Sequence, residues 1–179
     1  MPEDFYSSDT HYSHERTRQL SRRPFANVTD MDEAMILRTN AMCRHIDTLY
    51  HLGDFGDYRV VSRLVPRVIL ICGNYEHDDI NKFYGGDFQL FRRRLIQLGF
   101  KDVILNSMGH RGMWLNHFPN RRVEDRFNLF GHIHRLQMVK HNGLNVGVDC
   151  HDYAPVSTDT VEFYRNFIEN VCDDEVFNP

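Results

Sequence analysis

The chain has 179 residues, 41% of them hydrophobic and 26% charged, with a formal net charge of −4. This composition excludes a disordered chain and a strongly basic nucleic-acid coat. No apolar run approaches the roughly 18 residues of a membrane span. The length suits one domain, 1–179, that can bury a core without disulfides or structural metal. Cys43, Cys72, Cys150 and Cys172 are scattered and form no CxxC, so they read as buried thiols in a reducing compartment. The acidic start carries no signal-type apolar stretch, and a cytoplasmic location is expected.

In chain order, EDFYSSD reads as a strand, and TRQLSRRPF behind it as a surface loop. Thr29 and Asp32 signal a helix start, and Met31, Met35, Leu37, Ala41, Met42 and Ile46 follow at helical spacing. DTLYHLGD is a strand running into a Gly-Asp turn. VPRVILICGN is apolar on both faces, as a strand covered on both sides should be. Phe88 to Leu98 has helical periodicity and stops at Gly99. KDVILNS is a strand, GHRG a turn, and MWLNHF the hairpin partner. FNLFGHIH is a further strand. QMVKH and LNVGVD form a hairpin around Asn142-Gly143, a pair suited to a type I′ turn. Ser157 to Cys172 reads as a closing helix. The alternation predicts an α/β domain, and the strand-rich second half favours two packed sheets flanked by helices.

Histidine is abundant, 11 residues, and its placement matters more than its number. Asp9 and His11 follow the first strand, Asp54 the second and Asn74 the third. His117 ends a later strand, and His132 and His134 follow another. Carboxyl ends of strands in layered α/β domains converge on one edge, where ligand sites form. Oxygen and imidazole ligands suit Mn, Fe, Zn, Co or Ni better than calcium. Seven positions exceed one tetrahedral ion, whereas a shared aspartate would serve two ions about 3.5–4 Å apart. Each motif alone is weak; the ordered series is specific.

That series resembles the calcineurin-like metallophosphoesterases, whose pattern runs D-x-H, G-D, G-N-H-D/E, H and G-H-x-H. The matching stretches are DTH at 9–11, GDFGD at 53–57, GNYE at 73–76, His117 in NHF, and GHIH at 131–134. The resemblance implies a four-layer αββα sandwich: two mixed β-sheets packed face to face and flanked by helices. It implies a first divalent ion on Asp9, His11, Asp54 and His134. A second would lie on Asp54, Asn74, His117 and His132, with Asp54 bridging. Mn2+ is expected first, with Fe, Zn, Ni, Co or Mg as alternatives. The small size and LNVGVD segment look like bacterial or phage-type members, which points to a bacterial or phage-infected cell.

Tyr75 stands where the family has histidine. A phenol donates a hydrogen bond but is a poor base near neutrality. Three roles stay open: Tyr75 orients substrate, His77 or His14 substitutes for the histidine, or turnover is low. Asp57 and Asp149 are candidates to pin the imidazoles from behind. Arg135, beside the last motif, and Arg111, in a loop near His117, are candidate substrate contacts. The expected activity is hydrolysis of a phosphodiester of nucleotide size or at a nucleic-acid end, without an extended nucleic-acid surface. A monoesterase and a non-catalytic metal-binding scaffold are the alternatives, and a homodimer is a further expectation.

Overall fold

The computed structural model of the chain describes residues 1–172, so the last seven residues of the expected domain lie outside it. The first sheet contains β1 (Asp4–Ser7), β2 (Thr48–His51), β3 (Arg67–Ile71), β4 (Asp102–Ile104) and β10 (Val156–Ser157). Its order is β10-β1-β2-β3-β4, with β1 to β4 parallel and β10 antiparallel to β1. The second sheet holds β5 (Ser107–His110), β6 (Met113–Asn116), β7 (Phe127–Phe130), β8 (Val139–Lys140) and β9 (Gly143–Asn145). Its order is β5-β6-β7-β9-β8; β6, β7 and β9 run parallel, and β5 and β8 oppose their neighbours. Both sheets are therefore mixed, and the whole is the expected αββα sandwich.

Alternation along β3 shows why the layers form. Val68 and Leu70 join a core with Phe5, Leu49, Met31, Met35, Phe91 and Leu95, which lies under helices α2 (Val28–Met42) and α4 (Phe88–Leu98). Ile69 and Ile71 face the other way, into a core with Tyr6, Tyr50, Met113, Leu115, Leu129 and Leu144 from both sheets. Leu70 and Ile71 are fully buried. Each such side chain contributes roughly 1.5–3 kcal/mol of transfer free energy. Helix α5 (Thr158–Asn170) runs along β9, β10 and β1, and adds Val161 and Ile168 to the second core.

Several expectations shift. TRQLSRRPF is not a loop throughout: Glu15–Leu20 is helix α1, and Arg23 behind it is buried. Helix α2 starts before Thr29, because the Asn27 side chain caps it by accepting from the Asp30 N–H at 2.8 Å. On α2, Met31, Met35 and Ile36 face inward, while Leu37 and Met42 are exposed. Helix α3 (Asn74–Tyr84) follows β3 at once, where the apolar pattern gave no helix signal. KDVILNS divides: β4 stays in the first sheet and β5 opens the second. The late hairpin turns on His141-Asn142, since Lys140 pairs with Gly143, and only Asn142 of the two is left-handed, at φ 59°. Gly143 is there for closeness instead: a Cβ would sit 2.9 Å from the Asn128 carbonyl oxygen. Val171 lies past the end of α5 and is exposed. Among the described residues no helix is long and apolar enough to cross a membrane.

Candidate metal centre

Parallel β1, β2 and β3 deliver their following loops to one edge, and parallel β6 and β7 bring theirs to the same edge. The loops are stitched by backbone. Asp9 N donates to Gly53 O at 3.0 Å, His11 N to Asp54 O at 3.0 Å, and Gly131 N to His117 O at 3.0 Å. His132 N donates across the two sheets to the Asp9 carboxylate, 2.9 Å from Oδ2. Two glycines make this closeness possible. A Cβ on Gly73 would meet Asp54 Oδ1 at 2.4 Å, and one on Gly131 would meet Ser8 Oγ at 2.0 Å.

All seven positions expected to hold ions come together. Asp9, His11 and His134 bring one donor atom each within 4.8 Å of one another, as do Asp9, Asp54 and His117. Asp54 Oδ2 reaches both sides, 3.5 Å from His11 Nε2 and 3.6 Å from His117 Nε2. Its Oδ1 is engaged by the Tyr75 N–H at 3.0 Å. Asn74 Oδ1, His117 Nε2 and His132 Nδ1 form a triangle with sides of 3.0, 3.0 and 3.2 Å. Asp9, His11, Asp54 and His117 make a buried floor, and His132 lies at the exposed mouth. Asp9, His11, Asp54, His132 and His134 all have left-handed backbones, with φ from 49° to 72°. Such conformations cost about 1–3 kcal/mol each in non-glycine residues and cluster at functional sites.

The imidazoles are aimed from behind. His117 Nδ1 donates to Leu52 O at 2.7 Å, which leaves Nε2 for the cluster. His134 Nδ1 faces Asp149 Oδ2 at 2.8 Å. Asp149 is clasped by Arg23 through Nε at 3.0 Å and Nη2 at 2.8 Å. Arg23 also donates to the carbonyls of Thr10, at 2.8 Å, and Asp9, at 2.6 Å. Both side chains of this pair are fully buried. Asp149 thus has the pinning role expected of it. Asp57 does not: it caps the 3-10 turn Tyr58–Arg63 and pairs with Arg59.

Glu76 went unassigned in the sequence and is central here. It is fully buried and accepts three backbone N–H groups: Asp54 and Gly73 on one oxygen at 2.8 Å each, and Phe55 on the other at 2.9 Å. A glutamate three residues after a helix-capping glycine is the signal that could have found it. Asn145 is also buried, and holds the His134 loop by donating to His134 O at 2.7 Å and Gln137 O at 3.0 Å.

Electrostatics favours a cation at this edge. Burial, with the Glu76 and Asp9 carboxylates nearby, pushes Asp54 up to about 9. Burial holds His11 and His117 neutral, well below the usual imidazole range. Both ring nitrogens of His11 are buried without a hydrogen-bond partner. A buried polar atom left unsatisfied costs about 1–3 kcal/mol. Neutral imidazoles beside crowded carboxylates are what a divalent ion requires, and ion binding would lower the carboxylate pKa. The donor set therefore fits two metal ions.

Residues 5–148 match the calcineurin-like phosphoesterase superfamily domain. The chain belongs to that superfamily. An uncharacterized protein of Methanocaldococcus jannaschii is 25% identical over 171 residues, 90% of each chain. A crystal structure of a protein of unknown function from Aquifex aeolicus superposes with a TM-score of 0.69 at 20% identity, covering 92% of this chain and all of that one. The structural likeness concerns the fold.

The remaining expected residues of this calcineurin-like site divide. Tyr75 lies on the wall of a cavity beside the cluster, its ring edge-on to His11 with centroids 4.9 Å apart. The His14 ring is 5.3 Å from Tyr75 and 5.7 Å from His11. Arg135 lines the cavity. His77 does not; it sits on α3 where burial and the Arg121 charge hold it neutral. Arg111 is elsewhere. Its Nε is 2.7 Å from Asp4 Oδ2, at the start of β1 and the opposite end of the sheet. Paired there with Asp4, it lies away from the cluster: five residues of β6 and its flanks stand between it and His117, up to roughly 20 Å of extended chain.

Proposed function

We propose that this protein is a cytoplasmic, metal-dependent phosphodiesterase acting on a nucleotide-sized diester or a nucleic-acid end. In this reading Asp9, His11, Asp54 and His134 hold one ion, and Asp54, Asn74, His117 and His132 hold another, with Mn2+ preferred. The observation that carries it is Asp54 Oδ2, set 3.5 Å and 3.6 Å from the inward nitrogens of His11 and His117. When bound, such a pair supplies an activated water and neutralises charge on the phosphoryl group.

The chain's own groups then have defined tasks. Arg23 and Asp149 hold His134 in one tautomer with Nε2 toward the cluster. Asn74 contributes a neutral oxygen, which leaves its side of the site more electrophilic than a further carboxylate would. Tyr75 replaces the histidine usual in the family. Its phenol on the cavity wall orients the substrate and donates a hydrogen bond toward the leaving oxygen, but does not supply a strong acid near pH 7. That favours diesters over dianionic monoesters, whose poor leaving groups need such an acid most.

The test is elemental analysis with turnover. The purified protein should carry close to two Mn2+ per chain, and Asp54→Asn should lose them. With Mn2+, bis-(p-nitrophenyl) phosphate should turn over faster than p-nitrophenyl phosphate. Faster monoester turnover would overturn the diester preference. Two bound ions with no turnover of either would leave a scaffold.

A further inference from the structure

The cavity beside the Asp/His cluster has a volume of about 800 Å³, within the usual range for small-molecule sites and far beyond the needs of a phosphoryl group. Its lining includes Leu20, Ile133 and Leu136. Leu20, at the end of α1, is 71% exposed, and Leu136, in the loop after β7, is 85% exposed. Ile133, between His132 and His134 in the chain, also lines the cavity, and its turn is fixed by Leu136 N donating to Ile133 O at 3.1 Å. One exposed leucine needs no explanation. Two on the walls of one cavity that ends at a charged centre form an amphipathic slot.

Arg22 supplies the second half of the argument. It lines the same cavity, and its side chain makes no hydrogen bond or ion pair among the described residues. Its φ is 50°, at a position just past a helix end where glycine or asparagine is the usual choice. Its neighbour is fixed in place: Arg23 is locked onto Asp149 and the carbonyls of Asp9 and Thr10. The residue just before the anchor that braces His134 is thus an arginine that lines the cavity and is committed to no partner among the described residues. Arg135, by contrast, is partly tied, through Nη2 to the Tyr153 hydroxyl at 3.1 Å.

We infer that this slot is a nucleoside subsite: Leu20, Ile133 and Leu136 pack against the base and sugar of a nucleotide whose phosphoryl group lies at the Asp/His cluster, and Arg22 takes a further phosphate. The inference rests on the phosphoesterase reading and names its specificity residues. An arginine fork suits a phosphate oxygen pair, and an aliphatic slot suits the flat face of a base.

Equilibrium binding to the Mn2+-loaded protein tests it, with AMP, ADP, ribose 5-phosphate and inorganic phosphate as probes. AMP should bind at least tenfold more tightly than ribose 5-phosphate. The Leu20→Ser/Leu136→Ser double variant should lose most of that advantage and bind inorganic phosphate as before. Both leucines are exposed, so an unchanged melting temperature is expected and should be checked. ADP should bind at least threefold more tightly than AMP, and Arg22→Ser should erase the difference. Equal affinity for AMP and ribose 5-phosphate, or an unaffected double variant, would overturn the subsite. Phosphate binding without nucleoside discrimination removes the subsite alone. Loss of phosphate binding together with absent diester turnover removes the phosphoesterase reading as well. A single-stranded tetranucleotide binding no better than AMP identifies a free nucleotide as the occupant, and one binding tenfold better identifies a nucleic-acid end; the nucleoside site stands in both cases.

Discussion

The two ends of the sandwich use the same residue types to opposite effect. At the amino end of β1, Asp4 Oδ2 takes both His110 Nε2 at 3.0 Å and Arg111 Nε at 2.7 Å, and the His110 ring packs tilted against Tyr50 with centroids 4.3 Å apart. Its charges close on one another. At the carboxyl end, Asp9, Asp54 and Glu76 are buried together, and the buried cation near them, Arg23, is spent on Asp149 and on carbonyl oxygens. Aspartate, histidine and arginine are therefore not a site by themselves. The end that leaves its donors uncancelled is the one able to receive a cation.

The sharpest way to break this contrast is Asp54→Asn. Activity should fall about a thousandfold, since a shared ligand governs several kcal/mol of transition-state stabilisation. The ion-free fold should change by no more than about 1 kcal/mol, because an amide resembles the protonated acid that crowding already favours. A large loss of fold stability in urea would mean that Asp54 is a structural carboxylate. Next is Arg23→Met, which strands the fully buried Asp149. Removing one partner of such a pair costs about 3–5 kcal/mol. Urea unfolding should show this, and a loss under about 1 kcal/mol would mean that Asp149 has another counter-charge.

pH gives a third measure. Burial holds His51 down to about 3. The folded state therefore prefers neutral His51, and the unfolded chain takes up the proton first as pH falls. Its contribution is complete above the unfolded value near 6.5 and is lost as pH drops from there toward 3. The stability difference between the wild type and His51→Gln should narrow by about 1.4 kcal/mol per pH unit below about 6. A difference independent of pH would show that His51 is not held neutral. The smallest effect belongs to the closed end. Arg111→Ala breaks a half-exposed pair and should cost at most about 1 kcal/mol. Metal content and turnover should stay unchanged; a fall in either would couple the two ends.

The donors at the carboxyl end were legible because each follows an apolar strand run, and strand ends in a layered fold share an edge. Glu76 and α3 were not, because NYEHDDINKFY carries few apolar residues at helical spacing and its burial is enforced by backbone N–H groups. Arg23 looked like surface because a paired, buried arginine and a solvated one read alike in a polar stretch. Arg111 misled through nearness in sequence: a strand carries the chain from one end of the sheet to the other. The late hairpin kept its place but moved its turn by one residue, since close packing of Gly143 on Asn128 decided the register.

Glu76 acts as a pair of calipers. One carboxylate grips the loop after β2 at two points and the loop after β3 at a third, which holds the gap between Asp54 and Asn74 in the folded chain. Little ordering remains for the moment an ion arrives. Shortening the jaw by one methylene, with Asp in place of Glu, would shift the two loops against each other and so retune which ionic radii the edge accepts, without changing any donor residue.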